Sequence, residues 1–212
     1  MKKIMTLYFV LIIIGTSILF NGCGKSIKTD ATKTESTKTE AAKTEGPKTE
    51  FEAGKEKIKL EKMSVLSNKA DMLIPKSFSI MSEEMAKTKY PSERRPTIIY
   101  TNENGSINIA LNHTQNQAKN SEISAYMNTL KKSFENMYPS AQWYNSSVEK
   151  INGKDVGVLE VLTPAVDTEV YNLIWFTDLD GRLLLSTFNC TKEQMNDWKP
   201  IAKVIMNSQQ FK

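Results

Sequence analysis

Three patterns of apolar and polar residues follow one another along the 212-residue chain. Behind Lys2 and Lys3 comes a largely apolar run, Ile4 to Phe20, ending in Asn21-Gly22-Cys23. From Ile27 to Phe51 no large apolar residue intervenes, and the chain repeats in fives: Lys28-Thr29-Asp30, Lys33-Thr34-Glu35, Lys38-Thr39-Glu40, Lys43-Thr44-Glu45 and Lys48-Thr49-Glu50. A period of five matches neither helix nor strand. A segment with nothing to bury cannot offset the entropy of ordering, so residues 23–55 are expected to be a solvated tether. The third pattern is periodic, starts near Lys57, and predicts one folded domain over residues 56–212.

Within that domain, Asn104-Gly105, Asn152-Gly153 and Asp180-Gly181 each separate two strand-like runs, the sequence signal of a type I′ hairpin. The first is expected to join Thr97–Tyr100 to Ile107–Leu111, the second Trp143–Ile151 to Val156–Leu162, and the third Val170–Thr177 to Leu183–Phe188. Val170, Ile174 and Phe176 alternate with Tyr171, Leu173 and Trp175, which predicts a central strand covered on both faces. Met72–Pro75 and Phe78–Ile80 read as a short strand pair, or as a strand and a turn. Between Ser121 and Tyr138 the apolar residues Ile123, Tyr126, Met127, Leu130, Phe134 and Met137 recur at helical spacing, capped by Asn120 or Ser121 and stopped by Pro139. A last helix carries Met195, Trp198, Ile201, Ala202 and Ile205 inward. Thr191 with Gln194 can form its capping box, but Pro200 then falls in the helix interior, so a start at Asp197 is preferred. The order of elements predicts an α+β domain: a mainly antiparallel sheet with helices packed on it.

This order, with Met72-Leu73-Ile74-Pro75 near its start and Phe188-Asn189-Cys190 before a terminal Trp198 helix, resembles the PsbP-like and DcrB-like domains over roughly residues 57–212. The resemblance implies an α/β/α sandwich and an accessory or interaction role, often in exported or lipid-anchored proteins. It supplies no catalytic residues to carry over.

The first pattern decides location. A basic n-region, an apolar h-region and a small residue before cysteine form an export signal over residues 1–22. It resembles a lipoprotein signal peptide, in which Cys23 is lipidated (a palmitate-type anchor) and becomes the mature N-terminus. Phe20 and Asn21 depart from the usual residues before that cysteine, and the other reading is an uncleaved membrane anchor at the lower limit of spanning length. Both readings place the domain outside the cytoplasmic membrane, facing outward.

Charge and composition narrow the chemistry. The net charge of +4 and pI of 8.9 are mildly basic. The lysines are spread among glutamates, which excludes the clustered stripe of a nucleic-acid binder and leaves attraction to an anionic envelope polymer or lipid. If Cys23 carries lipid, Cys190 has no partner and reads as a small buried hydrophobe. The one histidine, His113, has no dyad or ligand partner at suitable spacing, and no phosphate loop or nucleophile elbow occurs. No catalytic residue, metal ligand or cofactor is expected. The segment from Lys87 to Pro96 is the candidate interaction loop, in which Lys87, Lys89, Tyr90, Arg94 and Arg95 combine the residue types that dominate interfaces. Its alternative is an ordinary connection with Tyr90 packed over the sheet edge. Two functional classes remain: a tethered binding or accessory module meeting an envelope protein or anionic polymer, and a wall-modifying hydrolase whose carboxylates, such as Glu160 and Asp167, converge only in the fold.

Overall fold

The computed structural model describes residues 48–91 and 95–212; the expected signal segment 1–22, Cys23, most of the expected tether and Arg94 lie outside the described residues. Seven antiparallel strands form the central sheet in the order β4 (Ser79–Ile80), β5 (Ile98–Thr101), β6 (Asn108–Gln117), β10 (Arg182–Thr191), β9 (Glu169–Leu179), β8 (Lys154–Pro164), β7 (Gln142–Ile151). A second sheet has the order β1 (Glu50–Ala53), β2 (Glu56–Val65), β3 (Ala70–Pro75), β11 (Gln210–Phe211). The helices are α1 (Glu83–Lys89), α2 (Ile123–Met137) and α3 (Lys192–Asn207). This is the expected α+β architecture, with a second sheet added to it.

The central sheet is covered on both faces because β9 is apolar on both. Ile174 and Phe176 join Leu159, Val161 and Leu183 beneath Ile123, Met127, Leu130 and Phe134 of α2. Tyr171, Leu173 and Trp175 face the other way, into the core shared by Trp198, Ile201 and Ile205 of α3 and by Ile58, Leu60, Met72 and Ile74 of the small sheet. Gly157 on β8 lies under the Phe176 ring across the ladder, where a Cβ would come within 2.2 Å of the ring, so no larger residue fits. Among the described residues every strand pairing is made within 50–211, so the folded unit is closed on itself.

Two of the three hairpin turns are type I′: φ is positive at Asn152 (47°) and Gly153 (87°), and at Asp180 (50°) and Gly181 (72°). The Asn104-Gly105 turn differs. Only Gly105 has positive φ, and a wider loop is stitched by Asn102 Oδ1, which accepts from Ile107 N at 3.0 Å, and Asn104 Oδ1, which accepts from Ser106 N at 2.9 Å.

Several expectations are corrected. Glu50–Ala53, assigned to the tether, pairs with Glu56–Lys59 as strand β1, because Phe51 and Ala53 supply the apolar surface that the repeats before them lack. Strand β2 was not foreseen: its buried residues, Ile58, Leu60 and Val65, change phase along the strand and hide the alternation. Met72–Pro75 and Phe78–Ile80 do not pair with each other; β3 and β4 belong to different sheets. Helix α1 occupies what read as the start of a loop, capped by Ser82, which accepts from Met85 N, with Glu83 and Glu84 in the first turn and Lys87 and Lys89 in the last. Helix α3 begins at its Thr191–Gln194 capping box and carries Pro200 inside it. The lost hydrogen bond and clash cost about 3 kcal/mol. Burial of Trp198, Ile201, Ala202, Ile205 and Met206 on the sheet outweighs that cost, and Pro200 itself faces solvent.

Candidate functional site

Two residues of the basic segment, Lys89 and Tyr90, are built into the fold. Lys87 is exposed and paired to Glu83 one turn back at 2.6 Å. Lys89 is 7% exposed, and burial pushes its ammonium pKa down. Tyr90 caps α1 and is 2% exposed, with burial pushing its phenol well above the usual range. Arg95 donates from Nε to the Tyr90 carbonyl at 3.0 Å, and Arg94 lies outside the described residues. Tyr90 is therefore core beside Ile99 and Ala110, as in the packed-tyrosine alternative, and Lys89 is buried against Gly105 of the Asn104-Gly105 turn.

His113 is half-buried. Its Nε2 lies 2.9 Å from the Leu179 carbonyl and its Nδ1 meets an Arg182 guanidinium nitrogen at 3.1 Å, so the tautomer with its proton on Nε2 fits both contacts. Cys190 is fully buried, and burial raises its thiol pKa far above the range in which it reacts.

Glu160 and Asp167 do not form an acid–base pair in a pocket. Asp167 is exposed on the β8–β9 turn. Glu160 is 1% exposed and ion-paired to Lys199 at 2.5 Å and to Lys203 at 3.1 Å, two lysines one turn apart on α3. Desolvation raises its pKa, but the hydrogen bonds and charges of both lysines outweigh that and leave it below the usual glutamate value. A bulge between Trp143 and Asn145 sets Tyr144 opposite the same β8 position, with Lys199 Nζ 4.5 Å from its ring centroid. The sequence carried a trace of this centre: a single carboxylate inside the apolar run Val156–Leu162, and lysines spaced i, i+4 on the last helix.

A second arrangement had no such signal. An open cleft of about 440 Å³ is lined by Lys48, Lys62, Met72, Leu73, Asn152, Val204, Asn207, Ser208 and Gln210. Its floor is apolar, from β3 and α3, and its rim carries two ammonium groups, amides and no carboxylate. The Asn152-Gly153 turn fixes one wall: Asn152 Nδ2 donates to the carbonyls of Asn207 at 3.1 Å and Gln209 at 2.7 Å, capping the end of α3. Lys62 bonds Gln210 Oε1 at 3.4 Å and pairs with Asp71 at 3.2 Å. These residues come from five separated stretches, so no spacing links them. Among the described residues, no group of three or more His, Cys, Asp or Glu is placed to hold a metal, and no helix is long and apolar enough to cross a membrane.

The sequence matches no protein-family model and no curated protein. Solved structures do match. The solution structure of cyanobacterial PsbP (CyanoP) from Synechocystis sp. PCC 6803 is 11% identical, with 72% of this chain and 92% of that one covered at a TM-score of 0.55. LpqN, involved in cell envelope biogenesis of Mycobacterium tuberculosis, is 13% identical with 72% and 90% covered at 0.47. PA94 from Pseudomonas aeruginosa, a protein of unknown function and putative regulator, is 15% identical with 70% and 94% covered at 0.42. The chain has a PsbP-like fold; at these identities the likeness extends to the fold alone.

Proposed function

We propose that this chain is an outward-facing envelope accessory protein: a lipid at Cys23 and the Lys-Thr-Glu tether hold a non-catalytic PsbP-like domain whose cleft captures an anionic envelope component. The observation that carries the reading is the cleft rim, which combines Lys48 and Lys62 with amide donors and contains no carboxylate. A cleft of this size with an apolar floor and a few convergent polar groups is the usual form of a binding site. The rival hydrolase needs a carboxylic acid that donates a proton, and Glu160 is held ionised by two lysines.

The test is retention. Immobilised residues 24–212 should hold anionic material from solubilised envelopes, and Lys62→Glu should release it. Equal retention by both proteins overturns the reading. For the anchor, labelled fatty acid should enter the wild-type chain and not Cys23→Ala; a wild type without label would leave the membrane-anchor alternative.

A further inference from the structure

The cleft's two halves ask for two chemistries in one ligand, and we infer that it takes an anionic amphiphile, a phosphate-type head joined to an aliphatic chain. The inference rests on the cleft being the binding site proposed above. Met72, Leu73 and Val204 offer an apolar floor that a small inorganic anion or a fully polar polymer leaves uncovered. An aliphatic chain removes that floor from water at a gain proportional to the area covered. Lys48 and Lys62 supply the counter-charge at the rim. Among the described residues Lys48 forms no ion pair; its ammonium stands 5.0 Å from the Phe51 ring centroid. Lys62 is well exposed and shares Asp71 with Lys212 at 2.6 Å and with the Ser64 hydroxyl at 2.7 Å, both of which remain on that carboxylate when Lys62 leaves it. Lys62 can therefore turn to a ligand without stranding its partner.

Two features of the walls agree with an anionic head. The last carbonyls of α3 present the negative end of a helix dipole, which repels an anion. Here they are already occupied: Asn207 and Gln209 by Asn152 Nδ2, and Ile205 by the Ser208 hydroxyl at 2.6 Å. Between the lining residues Ser208 and Gln210, Gln209 is 1% exposed, and its Nε2 has no acceptor among the described residues. Its Oε1 accepts from Trp175 Nε1 at 2.6 Å. The Trp175 indole is thus coupled to the wall of the cleft through one side chain, and it provides the readout.

The experiment follows the Trp175 indole N–H resonance of residues 24–212, with Trp143 and Trp198 as internal references. Dodecyl phosphate below its micelle concentration should shift that resonance saturably, while inorganic phosphate at the same concentration should not. Dodecyl maltoside, chain without charge, should bind at least about tenfold more weakly, the difference expected for losing a charge-assisted contact. Lys62→Met, a change at an exposed side chain, should weaken dodecyl phosphate by a similar factor, and Lys150→Met, outside the cleft, should not. Vesicles of phosphatidylglycerol that shift the same resonance, where phosphatidylcholine vesicles do not, would identify a bilayer headgroup as the source; a response to the monomer alone would identify a free amphiphile. Equal affinity for dodecyl phosphate and dodecyl maltoside, no effect of Lys62→Met, or no shift at all overturns the inference. If envelope material is still released by Lys62→Glu in that case, the binding module stands and only its ligand class falls; if it is not, the binding reading itself has failed.

Discussion

Two carboxylates in this molecule are each gripped by two lysines, and they behave as opposites. Glu160, on the central sheet, is held by Lys199 and Lys203 with 2% of its side chain exposed. Asp71, on the small sheet, is held by Lys62 and Lys212, with the Ser64 hydroxyl donating to it at 2.7 Å, and its side chain is 14% exposed beside lysines that are 61% and 46% exposed. Both acids are shifted below their usual range. At Asp71 the hydrogen bonds from Lys212 and Ser64 act first, with desolvation a smaller opposing cause; at Glu160 desolvation is the largest single cause and the lysines must overcome it. The same constellation is therefore a fixed part of the core in one place and an exchangeable surface pair in the other. Solvent decides which, since exposed pairs are screened and contribute little while a buried charge cannot be left alone.

The sharpest way to break the comparison is to remove both lysines from Glu160. Lys199→Met with Lys203→Met leaves a buried carboxylate without a counter-charge and should cost about 3–5 kcal/mol in urea unfolding. Its pH dependence should invert. Without its partners Glu160 is better protonated, so the variant should gain stability as pH falls from neutral, where the wild type does not. A loss within the ordinary surface range of about 0.5 kcal/mol would mean that Glu160 is not the core element described.

Next in size, a chain starting at Lys55 lacks β1 and should unfold about 2 kcal/mol more easily than one starting at Gly24, because Ala53 and Phe51 leave the core and β2 becomes an edge. Equal midpoints would return residues 50–53 to the tether.

A smaller effect separates the two acids by pH. Since the folded-state pKa of Glu160 is lowered, its contribution is complete above the unfolded value of about 4.3 and is lost as pH falls through the folded value. Glu160→Gln should flatten that acid limb of the stability curve; an unchanged limb would assign it to other carboxylates. Smallest of all, Asp71→Asn should change stability slightly at low salt and not measurably at about 0.5 M salt, while freeing Lys62 and tightening the cleft's hold on dodecyl phosphate. A large, salt-independent loss would make Asp71 a second Glu160.

What the sequence disclosed follows from what is local. The hairpins at Asn152-Gly153 and Asp180-Gly181 and the double-faced strand β9 were legible because turn chemistry and alternation act between neighbours. The α2 stripe was legible for the same reason. Pro200 misled, because its local cost is visible in sequence and the burial of Trp198 and Ile205 that offsets it is not. The segment from Lys87 to Pro96 misled in the other direction. Its composition suggested a surface, but Lys89 and Tyr90 are drawn inward by a seven-residue helix whose signals, Ser82 and the acidic first turn, are capping signals rather than periodicity. The cleft could not be read at all, since Lys62 and Gln210 meet through the β2–β3 and β3–β11 pairings and Asn152 joins them only through its bonds to Asn207 and Gln209.

That pairing also sets a timetable. Gln210 and Phe211 lie against Asp71 and Ala70, and Lys212 N reaches the Lys69 carbonyl at 3.0 Å. The early strands of the small sheet must therefore wait, exposed and unpaired on that side, until residues 210–212 have been made. Such long-range closure slows folding. The free edge of β3 is thus the last to be covered, after every strand of the central sheet, complete by Thr191, has been made.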